Sequence, residues 1–562
     1  MRISVYFAAN MGLSRFFNNR LAINKSLLIA GMAMLSACSN RVQESRDNTF
    51  YLNFSSGTLE SIDPAFAKDL YTMWSDHMVY NTLVETDNNL HLAPSLAKRW
   101  EVSADGLEYR FYLRNDVYFH DAPEFPGSKG RLMTAADVVY SFNRIINPKV
   151  ASPGAWIFND RVADKAPFTA INDTTLLIRL KAPFRPLPEI LSMPYCSVVP
   201  HEVVEKWGKD FRSHPCGTGP FQFKYWDEGN VLVLHRNPHY WERDSAGNQL
   251  PYLAAVQATF VDSKATEFLL FLQGKVDFVN NIDGSFKDLV LSKNGDLKKE
   301  FSNRFHMTKQ TYLNMEYIGF LTDSTNKHVK GSPVLNPLVR QAINYAIDRQ
   351  KIATYFRNGV VMPATSGFIP AGMPAFDSSG RYGFSYNPAK ALELLAKAGY
   401  PNGKGLPPIT ILTPDNWSDI INFMATQLQE VGIRLNVEII QPNFLKQQMS
   451  RSEVPMFRAQ WIADYPDAET YLVFFNGDFP APPNYTRFNN STFNKWYAES
   501  LNLPDTARWK MYQQMDSLVM SYAPVIPLYY DRLLHFTQNR ISGFSANPMN
   551  LIDIKRVRIA KK

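Results

Sequence analysis

ITILTPDNWSDIINFMATQLQEVGIRLNVEII, residues 409–440, holds three elements in one line. Ile409–Leu412 is a short apolar run that breaks at Thr413-Pro414. A helix follows from about Ser418 to Val431, and Gly432 stops it. Arg434–Ile440 then alternates, with Leu435, Val437 and Ile439 on one face, which is the period of a strand. Strand, helix and strand in this order form a βαβ unit. Such a unit implies parallel strands in an α/β domain.

Two more helices flank it. Asn336-Pro337 opens one, carrying Leu338, Val339, Ala342, Ile343, Ala346 and Ile347 at helical spacing. Asn387-Pro388 opens the other, with Ala391, Leu394, Leu395 and Ala398 on one face. Asn at the N-cap supplies a side-chain acceptor, and Pro at the first helical position gives up a donor that has no partner there. Gly399 suits the left-handed residue after the helix, and Pro401 prevents its continuation. Further upstream, Val231–Leu234 reads as a short strand, and Glu108–Leu113 alternates like a strand at a sheet edge. No internal repeat or low-complexity tract interrupts the pattern.

The N-terminus has a different character. Arg15, Arg20 and Lys25 precede a short apolar run, Leu27–Leu35, that leads into Leu35-Ser36-Ala37-Cys38. That run is too short for about 30 Å of hydrocarbon, which takes roughly 20 apolar residues. A basic flank, a short apolar stretch and small residues at a cut site mark residues 1–37 as a secretory signal peptide. Leu-Ser-Ala-Cys resembles the lipobox of bacterial lipoproteins, so Cys38 is the expected lipidation site. Residues 38–48 are polar and read as a tether. The expectation is a body held at a membrane surface by lipid alone, in the periplasm or at the cell surface.

Length and composition bound the rest. The chain has 562 residues, 45% hydrophobic and 20% charged, enough for more than one lobe. Four basic residues and no acidic one fall in positions 1–37, so the formal +7 drops by 4 to +3 after processing. That mild balance argues against nucleic acid. Besides Cys38 there are two cysteines, Cys196 and Cys216. In an exported chain they either pair or stay as two separately buried thiols.

Catalytic signatures are missing. There is no G-x-S-x-G elbow and no phosphate loop. His201-Glu202-Val203-Val204-Glu205 lacks the second histidine of H-E-x-x-H. His120-Asp121 reads as a structural hydrogen-bonding pair. Asp464 and Asp467 flank a Tyr-Pro turn and are expected to point apart. No metal site and no cofactor are expected, and the chain is read as a non-enzyme.

Several motifs in sequence order resemble the bacterial extracellular solute-binding proteins of the peptide and nickel class, family 5. They include Ser61-Ile62-Asp63-Pro64-Ala65, Tyr80-Asn81-Thr82-Leu83-Val84 and Trp100-Glu101-Val102-Ser103-Ala104-Asp105-Gly106-Leu107. Thr134–Phe142, Gly217-Thr218-Gly219-Pro220-Phe221, Asn237-Pro238-His239-Tyr240-Trp241, Val339-Arg340-Gln341-Ala342 and Ala463-Asp464-Tyr465-Pro466-Asp467 continue the series. The resemblance runs from Thr58 to Ile552. It implies a type II periplasmic-binding-protein fold of two hinged lobes with an extra inserted domain. The implied divisions are lobe I at 49–92, domain II at 93–212, lobe I again at 213–306, lobe III at 307–531 and a lobe I return at 532–562.

The resemblance also implies the site. In peptide-binding relatives the aspartate matching Asp464 pairs with the ligand's α-ammonium, a charge-assisted bond. The competing reading of Asp464 is a helix N-cap. Trp461, Trp417, Asn416 and Tyr485 are the other candidate ligand contacts. Dipeptide binders carry an arginine in the loop corresponding to Thr413–Asp419, and none is present here. A longer peptide therefore fits better than a dipeptide. The expected partners are a small peptide and the permease subunits of an ABC importer, with the binding protein itself a monomer. A nickel chelate, haem, an oligosaccharide or a chemosensory role are alternatives within the class, and a secreted peptide hydrolase lies outside it.

Overall fold

A computed structural model describes residues 48–560. The signal peptide, Cys38 and nearly all of the tether lie outside the described residues.

The quoted stretch folds as its pattern requires. Ile409–Thr413 and Leu435–Ile439 pair in parallel, Ile409 opposite Leu435, with the helix Ser418–Glu430 as the crossover. Gly432 takes φ +85°, and a Cβ there would meet Asn402 O at 2.3 Å. The flanking helices keep their caps: Asn336 accepts from Leu338 N–H, Asn387 from Lys390 N–H, and Gly399 sits at φ +94°.

Three main sheets result. The first orders its strands Thr49–Asn53, Ala255–Thr259, Val231–Arg236 and Phe221–Asp227, with only the first pair parallel. The second is antiparallel: Ala97–Val102, Glu108–Leu113, Thr175–Arg179, Phe168–Asn172. Glu108–Leu113 is thus an internal strand and not an edge. Its alternation reflects one face on the core, which an internal antiparallel strand shares with an edge. The third sheet runs Phe278–Asn280, Val525–Gln538, Phe305–Phe320, Met456–Ile462, Ile409–Thr413, Leu435–Ile439, and Met362–Pro363 joins Val525–Gln538.

Phe305–Phe320 and Val525–Gln538 are unusually long and pair antiparallel, with irregularities between Thr311 and Met315 and between Glu316 and Tyr317. At their far end Asp277 N–H donates to Tyr51 O, and the Asp277 carboxylate accepts from Tyr51 N–H and from Arg540. This ties the third sheet to the first.

The family-like motifs turn out to be joints. Asp63 caps a short helix at Ala65 N–H and holds Arg144 at 2.5 Å, both side chains nearly buried. Thr134 and Asp137 form a capping box on the helix Ala135–Ile146. Gly217 and Gly219 pass so close to Val79 that a Cβ would sit 2.2 and 2.4 Å from its backbone. His120 Nε2 donates to Gly219 O at 2.9 Å, and burial pushes its imidazole down to about 4, so it stays neutral. The structural role of His120 is therefore confirmed, but its partner is this turn. Asp121 instead holds Lys129.

Candidate functional site

The strand Met456–Ile462 begins beside Ile411 and Leu412 and runs past the end of Ile409–Thr413. Its last residues and Ala463-Asp464 therefore project beyond the parallel strands. That end is where open α/β sheets bind their ligands.

Asp464 is exposed, and among the described residues its carboxylate has no hydrogen-bond or ion-pair partner. Its own N–H donates to Thr470 Oγ1 at 3.5 Å. The N-cap reading fails, because Asp467 takes that role: its Oδ1 accepts Glu469 N–H at 2.9 Å. Asp467 Oδ2 faces away and accepts from buried Arg508 at 2.9 Å. The two aspartates do point apart. Although the oxygens of Asp464 reach solvent, the protein crowds them. Partial loss of water, and then the charge of Glu469, lift its carboxyl to about 6.

Residues from a distant part of the chain face Asp464. Tyr195 feels its charge after that of burial itself, and the phenol is pushed up to about 12. Trp156 packs on Tyr465, ring centres 6.2 Å apart. Tyr465 and Tyr497 both donate to the buried Glu469 carboxylate, which keeps the Asp464 turn in place.

Trp461 is half-buried. Its Nε1 donates to Thr470 Oγ1 at 3.3 Å and its ring meets Phe474 edge-on at 4.5 Å. Tyr485 packs beside Phe474, with 9% of its surface exposed. Asn416 is exposed, while its neighbour Trp417 is buried. Trp417 stacks parallel to Tyr529 at 6.1 Å and carries two guanidinium groups near its ring, Arg458 at 4.0 Å and Arg357 at 4.7 Å. Trp417 is thus a cation platform and not an open stacking surface.

Arg458 has a partner, Glu316 Oε2 at 2.5 Å. Asn314 donates to Glu316 at 3.1 Å and to Asp531 at 3.0 Å. Glu316, Asn314, Asp531 and Arg357 carry no sequence signal. They converge only because the two long strands run antiparallel and a turn at Asn358-Gly359 follows Arg357.

Cys196 and Cys216 are two free, buried thiols, so no disulfide joins them. Their sulfurs lean on separate carbonyls, Ile190 O and His120 O, and burial pushes both thiols well above the ordinary range. Among the described residues, no group of three or more His, Cys, Asp or Glu is placed to hold a metal ion. No helix among them is long and apolar enough to cross a membrane. A cavity of about 670 Å³ lies elsewhere, walled by Phe66, Tyr140, Arg144 and Lys209, and includes none of the residues above.

Comparison with known proteins places these features. A family model described as bacterial extracellular solute-binding proteins, family 5 middle, matches residues 91–482. The glutathione-binding protein GsiB of Salmonella choleraesuis (strain SC-B67) is 27% identical over 500 residues, 87% of this chain and 90% of its own length. Among solved structures, the periplasmic murein tripeptide binding protein MppA in an unliganded open form aligns with TM-score 0.77 and 22% identity, over 92% of this chain and 98% of that one. The ABC transporter-associated periplasmic binding protein DppA of Helicobacter pylori, in complex with the peptide STSA, aligns with TM-score 0.69 and 23% identity, over 92% and 100%. These likenesses show the two-lobe fold of type II periplasmic binding proteins.

Proposed function

The chain belongs to the bacterial extracellular solute-binding proteins of family 5, and on that premise we propose that it captures short peptides between its lobes and delivers them to an ABC importer. The single observation that carries this reading is the unpaired carboxylate of Asp464, set at the end of the sheet and faced by Tyr195. An unpaired anion in crowded surroundings is kept for a cation, and a peptide's α-ammonium supplies one. The relatives named for glutathione and for peptides support the same ligand class.

The long strands Phe305–Phe320 and Val525–Gln538 serve as the hinge, with lobe III between residues 307 and 531 and lobe I and domain II on the other side. Closure brings Trp156 and Tyr195 onto a ligand held by Asp464. Cys38 carries the lipid that keeps the body near the membrane. The relatives are named as binding proteins, and on the same reading this chain releases its peptide uncut.

Calorimetric titration with a short peptide across pH tests the reading. Asp464 loses its charge as pH falls through about 6. A free α-amino group loses its own as pH rises through about 8. Affinity is therefore highest near pH 7 and falls about tenfold by pH 5. An N-acetylated peptide binds weakly at every pH. Equal affinity for the acetylated and free peptides at pH 7 removes the ammonium from the site.

A further inference from the structure

Domain II and lobe III also meet away from Asp464, and there the contact is incomplete. On the domain II side the chain reads Ala182-Pro183-Phe184-Arg185-Pro186-Leu187-Pro188-Glu189. Three prolines fix φ and stiffen this segment. Tyr109 Oη donates to Phe184 O at 3.0 Å and ties it to its own sheet. On the lobe III side Leu501 leads through Pro504 into the helix Asp505–Tyr522. Arg185 N–H donates to Leu501 O at 2.8 Å, and Leu501 packs against the apolar cores on both sides.

The side chains at this junction fit poorly. Asp467, Asp505 and Glu189 converge on a single nitrogen, Arg508 Nη2, at 2.9, 3.2 and 3.4 Å. Meanwhile Arg508 Nε and Nη1 are buried without a hydrogen-bond partner, and so are Glu189 Oε2, Arg185 Nε and Tyr512 Oη. The phenol of Tyr109, raised by burial first, senses Arg185, Glu189, Arg508 and Asp505 together, which places these groups in one neighbourhood. Five of the twelve orphaned side-chain atoms among the described residues therefore belong to one contact. Buried polar groups seldom stay unpaired, and each one that does costs its lost hydration. Charge does not repay that loss. Two cations, Arg508 and Arg185, face three acids, and the nitrogen that Glu189 approaches already belongs to Asp467. A supple segment would turn Glu189 toward Nε, and the prolines prevent it.

We infer that this junction opposes closure, so that Glu189 and Arg185 set the affinity for ligand without touching it. Both lose water when domain II and lobe III meet and regain it when they part. The inference rests on the lobe closure proposed above and adds the element that sets its balance. An empty protein held open keeps its site accessible, and a ligand tips the equilibrium to the closed form. The apparent dissociation constant is the intrinsic one divided by the closed fraction, so relief of the junction tightens binding from a distance.

Small-angle X-ray scattering of the purified, empty protein tests this, together with affinities for a pool of tri- to pentapeptides read by native mass spectrometry. Empty Glu189→Leu has a smaller radius of gyration than the empty unsubstituted protein and binds the pool about 5- to 20-fold tighter. Glu189→Gln, which loses the repulsion and still buries a polar group, falls between. Arg185→Met shifts both readings in the same direction through a different orphaned atom. Thermal unfolding shows that each variant is folded. An empty Glu189→Leu protein no more compact than the unsubstituted one overturns the inference, and so does weaker binding by a folded variant. If no peptide binds the unsubstituted protein, the peptide reading falls, and the scattering of the empty proteins still decides the role of the junction.

Discussion

Asp464→Ala weakens binding of a peptide with a free N-terminus by at least about 2 kcal/mol, close to 30-fold, and leaves the unfolding curve where it was. The two halves of that expectation have one cause. The carboxylate makes no side-chain bond within the protein, so its loss breaks nothing in the fold. Its removal strands a buried ammonium in the complex, and an unpaired charge costs more than a lost neutral bond. Asp464→Asn keeps an acceptor and loses the charge, so its affinity falls between the two. An N-acetylated peptide distinguishes neither variant from the unsubstituted protein. Titration calorimetry on the three proteins checks this. A variant with lowered stability and unchanged affinity would place Asp464 in the scaffold and not in the site.

Arg508→Met acts on the opposite side of the same turn and lowers the unfolding free energy by about 3–5 kcal/mol. Arg508 is fully buried, and its Nη2 contacts Asp467 at 2.9 Å and Asp505 at 3.2 Å. Glu189, from a remote segment, approaches it at 3.4 Å. Burial first, and then the charge of Asp467, lift the Glu189 carboxyl to about 8, and Asp467 is the closer of the two to the guanidinium. Without the guanidinium, Asp467 stays 2% exposed and uncompensated. Removing both members strands neither, so Arg508→Met with Asp467→Leu is less damaging than the two losses summed. Urea denaturation of the four proteins measures the coupling. A loss under about 1 kcal/mol for Arg508→Met contradicts the buried pair.

The positions where sequence and structure agree share a physical reason. Asn336-Pro337, Asn387-Pro388 and Gly399 act on backbone groups within four residues, so their meaning travels with the local chain. The βαβ unit is legible for the same reason: its period and its stop signals lie within 32 residues. The motif singles out Asp464, and the structure leaves its carboxylate unpaired because Asp467 takes the cap.

What local pattern cannot carry is the identity of a partner far along the chain. Arg357 meets Tyr529 across 172 residues, Arg458 meets Glu316 across 142, and Arg508 reaches Glu189 across 319. None of these pairs leaves a spacing to read. The same limit explains Glu108–Leu113, whose internal place depends on Thr175–Arg179 arriving beside it. It also explains Ile439, which continues the apolar alternation of its strand yet is 51% exposed, because that strand has a neighbour on one side only. Trp417 follows the strand Ile409–Thr413 as the local pattern predicts, but its burial under two guanidinium groups depends on Arg357 and Arg458.

The most direct measurement is native mass spectrometry of the purified protein, with the bound ligand released and sequenced. A spread of short peptides with free N-termini, absent from Asp464→Ala, is the expected result. A single non-peptide mass, or a metal, would contradict peptide capture and leave only the fold.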